Sequence, residues 1–117
     1  MLHHRKTRKF GRERKVRVGL MRSLAHNLIL TGKMITTEAK AKSLRPYVEK
    51  LITHAKEDSV GSRRHVAAVL GNDTAAVTKL FSELGPRYKD RKGGYTRIVR
   101  VGIRTGDAAV KAYIGFV

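Results

Sequence analysis

Between Gly85 and Arg104 the chain reads GPRYKDRKGGYTRIVRVGIR, and no other run restricts its fold as much. A helix stop, a basic loop and an arginine-studded strand follow one another directly. The chain therefore has to pass from helix to sheet where seven cations gather: Arg87, Lys89, Arg91, Lys92, Arg97, Arg100 and Arg104. Only Asp90 opposes them. Like charge at this density on one face repels itself, and a polyanion that neutralises it removes the repulsion. Phosphate is the natural candidate, and the stretch reads as an RNA-facing surface. Two aromatics, Tyr88 and Tyr95, sit among the cations; residue type leaves open whether they stack on an unpaired base or pack beneath the strand.

The rest of the composition agrees with a folded body in a basic coat. Across 117 residues, 26 Lys and Arg face 9 Asp and Glu, for a net charge of +17, while the 41% apolar content is ordinary for a globular protein. This length supports one domain. The excess is uneven: residues 1 to 17 carry eight basic side chains and one acid, residues 18 to 86 ten and six, and residues 87 to 104 seven and one. Without cysteine there is no disulfide framework, thiolate zinc site or cysteine nucleophile. No apolar run reaches the roughly 20 residues of a membrane span, and the first stretch lacks the apolar middle of a signal peptide. A soluble, intracellular protein is expected.

Read in order, the first 17 residues form an arm too poor in apolar side chains to offset its own ordering entropy, so it is expected to order on a partner. From Leu20, apolar residues recur at helical spacing until Gly32 supplies a stop. Met34 to Thr36 suits a short strand. Thr37 can cap a longer helix with Glu38 in its first turn, whose apolar face is Ala41, Leu44, Val48, Leu51, Ile52 and Ala55, with Pro46 as a candidate kink. The opposite side carries Lys40, Lys42, Lys50 and Lys56, a solvated or RNA-adjacent face, tempered by pairs of Glu49 with Arg45 and with Lys56. Asp58 to Ser62 breaks the chain, Gly71 and Asn72 stop a third helix, and Asp73 or Thr74 caps a fourth that Gly85 and Pro86 end. Gly93 and Gly94 permit a tight turn. Tyr95 to Ile103 reads as a strand with Tyr95, Arg97, Val99, Val101 and Ile103 on one face and Thr96, Ile98, Arg100, Gly102 and Arg104 on the other; the second face is the better candidate for RNA. Ala112 to Val117 is a final strand that pairs with it antiparallel.

The expected fold is α+β: about four helices on a small, mostly antiparallel or mixed sheet of two to three strands, with an arm over residues 1–17 and one domain over residues 18–117. Catalysis finds no support. His3 and His4 adjoin in the arm, His26, His54 and His65 lie on separate elements, and no zinc-binding histidine pair or phosphate-cradling glycine loop is present. No catalytic residue, metal site, cofactor or small-molecule substrate is expected. The binding residues this pattern selects are Arg8, Lys9, Arg12, Arg14, Lys15 and Arg17 in the arm, Arg63 and Arg64 in the third helix, and Lys89, Lys92, Arg100 and Arg104 in the late stretch, because arginine and lysine give charge-assisted bonds to phosphate. Charge alone does not choose RNA over DNA.

Several motifs then carry a resemblance. The opening MLHHRK, the run from Ile35 through Thr37 to Ala39-Lys-Ala-Lys, and above all KLFSELGPRY from Lys79 with RKGGYTRI from Arg91 are similar to those of the L-seventeen family of bacterial large-subunit ribosomal proteins. Gly106-Asp107 and Ala112-Tyr-Ile follow in the expected order, so the resemblance spans nearly the whole chain. It implies helices against a small sheet, an N-terminal extension in rRNA, and a place in the cytoplasmic ribosome near the peptide tunnel exit among other large-subunit proteins. It also implies that Arg5, Lys6, Arg87, Tyr88, Arg91, Gly93, Gly94, Tyr95, Thr96 and Arg97 neighbour rRNA. The alternative from another class is a free nucleoid or regulatory protein that binds DNA or mRNA.

Overall fold

A computed structural model describes Phe10 and residues 13–117. Helix α1 (Arg14–Thr31) buries Leu24, Ala25, Leu28 and Ile29 and ends at Gly32, whose φ of 84° is the left-handed turn that glycine adopts without strain. It begins six residues before Leu20, so Arg14, Lys15 and Arg17, assigned above to the arm, ride on a helix. Apolar periodicity marks only where a helix becomes buried. Arginine and lysine are good helix formers and extend it into solvent.

Strand β1 (Lys33–Thr37) leads directly into helix α2 (Glu38–Ala55), capped by Thr37, whose hydroxyl accepts from the Lys40 amide. Helix α3 (Val60–Val69) is capped by Ser59. At its far end the Val69 carbonyl accepts from Arg22 Nε at 3.0 Å and from the Tyr47 hydroxyl at 3.3 Å, which ties α3 to α1 and α2. Gly71 and Asn72 both take positive φ in the turn that follows. Asp73 then caps α4 (Thr74–Lys79) with one oxygen and pairs with His26 through the other.

The chain does not stop at Gly85 and Pro86. A π-helical turn (Leu80–Leu84) carries α4 into a short α5 (Gly85–Arg87), so the four segments of helix expected from the sequence appear as four rods, the last one longer. Proline has no N–H to give the ladder and its ring crowds the carbonyl before it; the widened turn immediately upstream relieves that crowding. Gly85 has an ordinary helical φ of −57°. Its role is space: a Cβ there would fall on the Ala55 carbonyl oxygen at the end of α2.

Strands β2 (Thr96–Ile103) and β3 (Val110–Phe116) complete an antiparallel sheet of order β1-β3-β2, with Met34, Ile114 and Ile98 aligned across it and Thr36, Ala112 and Arg100 in the next inward row. Helix α2 packs against all three strands on one face and against the other helices on its far side. Its six apolar positions are all buried, Ala41, Leu44, Val48 and Ile52 completely. Of the β2 face selected above for RNA, Thr96 and Ile98 turn to α2, while Arg100, Gly102 and Arg104 are exposed. Thr96 is 3% exposed and its hydroxyl donates to Glu49 Oε2 at 2.7 Å, while Arg100 pairs with Glu38 at 2.5 Å.

Two glycine substitutions separate helix propensity from packing. Gly19 in α1 has open space around a built Cβ, so Gly19→Ala is expected to raise stability by about 0.5–1 kcal/mol. Gly85→Ala forces the end of α2 away and is expected to lower it by about 1–3 kcal/mol. Urea midpoints at unchanged slope read both; a gain from Gly85→Ala would contradict the packing described.

Candidate nucleic-acid interface

The segment between α5 and β2 is irregular in dihedral but fixed in place. Tyr88 closes α5, and its hydroxyl donates to the Val117 main-chain oxygen at 2.5 Å, which also accepts from Arg87 Nη2 at 2.8 Å. The Val117 amide in turn donates to the Tyr95 carbonyl at 2.9 Å, so both ends of the loop are sewn to the end of β3. From the other side Lys56, just past α2, donates through Nζ to the Arg91 carbonyl at 2.6 Å and to the Tyr95 hydroxyl at 3.0 Å. The two tyrosine rings pack at 5.1 Å with a 48° tilt. Gly93 and Gly94 have φ of 118° and 63°, so the loop's turn needs residues without a Cβ.

This geometry decides the open question about the tyrosines. Tyr88 and Tyr95 are 4% and 2% exposed, members of the core, with no ring face left for a base. Thr96 is likewise committed to Glu49. These three residues, selected above as RNA neighbours, hold the loop and strand in place from beneath. Lys56, expected to pair with Glu49, is the missed residue of the loop. Its signal was weak, since it is one of four lysines on the helix and only the fold brings it to Arg91.

The cations divide by partner. Arg100 is held by Glu38, which Lys42 also reaches at 2.9 Å, and these two hydrogen bonds keep the Glu38 carboxyl below its usual range. Arg104 chelates Asp107 through Nε at 2.9 Å and Nη2 at 2.5 Å, which together with the Ala109 amide lowers that carboxyl to about 2. Arg63 on α3 pairs with Asp58 at 2.7 Å and lies over Phe81, while its neighbour Arg64 has no carboxylate partner among the described residues. Lys89, Lys92 and Arg97 are exposed and also without a carboxylate partner among the described residues, and Arg91 meets only the Gly93 carbonyl. Arg14, Lys15 and Arg17 lie on the first turn of α1. Arg5, Lys6, Arg8, Lys9 and Arg12 lie outside the described residues.

What the arrangement offers is a main chain held by hydrogen bonds with exposed cationic side chains, a pattern suited to phosphate binding. Among the described residues no group of three or more His, Cys, Asp or Glu side chains could hold a metal, and no helix is long and apolar enough to cross a membrane. His54 and His65 approach to 4.4 Å between ring centroids.

The Lys56 ammonium, bonded to the Tyr95 phenol, draws that group below the usual tyrosine range, whereas burial pushes Tyr88 above it. Lys56→Met is therefore expected to return Tyr95 upward in a spectrophotometric titration. It should also cost about 1–3 kcal/mol in thermal unfolding, since the phenol loses its donor and the Arg91 carbonyl keeps only the Tyr95 hydroxyl. An unshifted tyrosine titration would show that Lys56 does not pin the loop.

The comparisons with known proteins meet this geometry from outside. The family model described as ribosomal protein L17 matches residues 20–117. A large ribosomal subunit protein bL17 of Thermomicrobium roseum is 50% identical over all of this chain and 99% of its own length. Its counterpart in Hydrogenobaculum sp. is 50% identical over the same shares, and that of Akkermansia muciniphila is 52% identical over 97% of this chain and 83% of its own. The match takes in all three strands, every helix but the start of α1, and the whole basic loop. The chain belongs to the ribosomal protein L17 family.

Proposed function

We propose that the protein is a structural constituent of the large ribosomal subunit that binds and stabilises rRNA through its basic arm and its loop-and-strand surface, and so supports translation. One observation carries the reading: the loop from Arg87 to Gly94 is tied to Val117 through the Arg87 and Tyr88 side chains and to Lys56 through the Arg91 carbonyl, while Lys89, Arg91 and Lys92 stay exposed. A fixed backbone with free cations neutralises phosphate at small ordering cost. The relatives' printed name, large ribosomal subunit protein, supports the place of action.

In this role Lys89, Arg91, Lys92 and Arg97 meet phosphates directly, with Arg64 on the helical side and Arg14, Lys15 and Arg17 at the start of α1. Arg63, Arg87, Arg100 and Arg104 present guanidinium groups already oriented by Asp58, Val117, Glu38 and Asp107. Arg5, Lys6, Arg8, Lys9 and Arg12 extend the contact along the arm. The partners are large-subunit rRNA and neighbouring large-subunit proteins near the peptide tunnel exit, in the cytoplasmic ribosome. No catalysis, cofactor, membrane or small-molecule substrate enters the role.

Filter binding to large-subunit rRNA and to duplex DNA across a salt series tests it. With roughly 6 to 10 phosphates neutralised, rRNA affinity is expected to fall about a thousandfold or more between 50 and 200 mM salt, and Lys89→Ala with Lys92→Ala to reduce the log–log slope by about 2. Equal affinity for duplex DNA and rRNA at moderate salt would favour a free nucleic-acid binder over a ribosomal component.

A further inference from the structure

On the sheet face turned away from α2, the strand registers place Lys33, Gly115 and Arg97 in one row and Ile35, Tyr113 and Val99 in the next, with Lys111 beyond them on β3. With Lys111 these positions carry three cations and no carboxylate. Ile35 is 62% exposed and Val99 46%, so among the described residues nothing covers them.

Tyr113 sits at the centre, and its side chain leans along its own strand. A Cβ at position 115 would collide with the phenol carbon and hydroxyl of Tyr113. Gly115 therefore leaves the room in which the ring lies down along the sheet, between Lys33 and Arg97, instead of standing away from it. Among the described residues the Tyr113 hydroxyl has no hydrogen-bond partner, and Lys33, Arg97 and Lys111 have no carboxylate partner.

A ring laid on a bare sheet with apolar neighbours and unopposed cations on both sides matches an unpaired nucleotide, which carries a flat π-face and a phosphate together. We propose that this face is a stacking platform for an unpaired RNA base, with Tyr113 beneath the base and Lys33 and Arg97 on the flanking phosphates. An apolar protein surface would satisfy Ile35 and Val99 but leave three cations without counter-charge. The inference rests on the RNA-binding reading above and names the kind of nucleotide that one surface takes. It also supplies a half-buried aromatic on the outer sheet face, which Tyr88 and Tyr95, both buried, do not.

The experiment uses the full chain and a fluorescein-labelled hexauridylate, with an RNA duplex of six base pairs as control, read by anisotropy. Tyr113→Leu is expected to weaken the single strand about tenfold or more with little change for the duplex and no change in salt slope, while Tyr113→Phe stays within about twofold of the unaltered chain. Arg97→Gln is expected to reduce the single-strand slope by about 1. In the unaltered chain the Tyr113 ring resonances should move upfield when hexauridylate is added, a readout that does not depend on how well a variant folds. If those resonances stay still, or Tyr113→Leu binds the single strand as the unaltered chain does, the platform is wrong. Retained binding of that variant to large-subunit rRNA would then leave the interface reading standing, whereas an unaltered chain that binds neither RNA would overturn both.

Discussion

Burial of the apolar stripe of α2 is the interaction on which the remainder depends. Ala41, Leu44, Val48, Leu51, Ile52 and Ala55 sit between the sheet and the other helices, and α2 packs against all three strands. Each larger side chain in that stripe contributes roughly 1.5–3 kcal/mol of transfer free energy, so the helix is the common support of both layers. Its polar edge then sets the phase of β2. Glu38 and Glu49 are eleven residues apart, close to three full turns, which places both carboxylates on one side about 16 Å apart. Arg100 and Thr96 are four residues apart on the strand, roughly 13 Å, and their side chains share a face. The two spacings match well enough for an antiparallel helix and strand to meet at both points.

The same helix fixes the basic loop. Lys56, one residue past its end, bonds the Arg91 carbonyl and the Tyr95 phenol, while Gly85 brings the following rod against the Ala55 carbonyl. A cation thus serves as an internal strut and keeps other cations on a fixed track. In a chain of net charge +17 the few acids are placed with economy: Glu38, Glu49, Asp58 and Asp107 each hold a specific partner, leaving Lys89, Lys92 and Arg97 unopposed where phosphate is proposed to sit.

Local chemistry made much of this legible. Gly32, Thr37, Asp73 and the Gly71-Asn72 turn act as the residue types dictate, and the short strand after Gly32 does join the other two. Where reading from residues failed, tertiary context decided. Alternation along β2 gave two faces without saying which one α2 would cover, and arginine on both made the choice ambiguous. A half-buried Glu49 turns Thr96 inward, and Glu38 takes Arg100. Gly85-Pro86 has the sequence of a stop, yet a π turn admits it into a helix because close approach to α2 outweighs the lost ladder bond. Tyr113 was hidden in a run that reads simply as apolar. Its alternation with Ala112 and Ile114 holds the signal, but only the register across three strands shows that Lys33 and Arg97 flank it.

The central claim is that this surface belongs in a ribosomal subunit, and sedimentation of tagged protein from cell extract through sucrose gradients tests it most directly. Runs at low salt and at about 0.5 M monovalent salt, with rRNA and DNA followed in each fraction, separate shape-locked from purely electrostatic binding. Roughly stoichiometric migration with the large subunit at both salts is the predicted result. Release from the subunit at the higher salt, or migration with DNA, would contradict it.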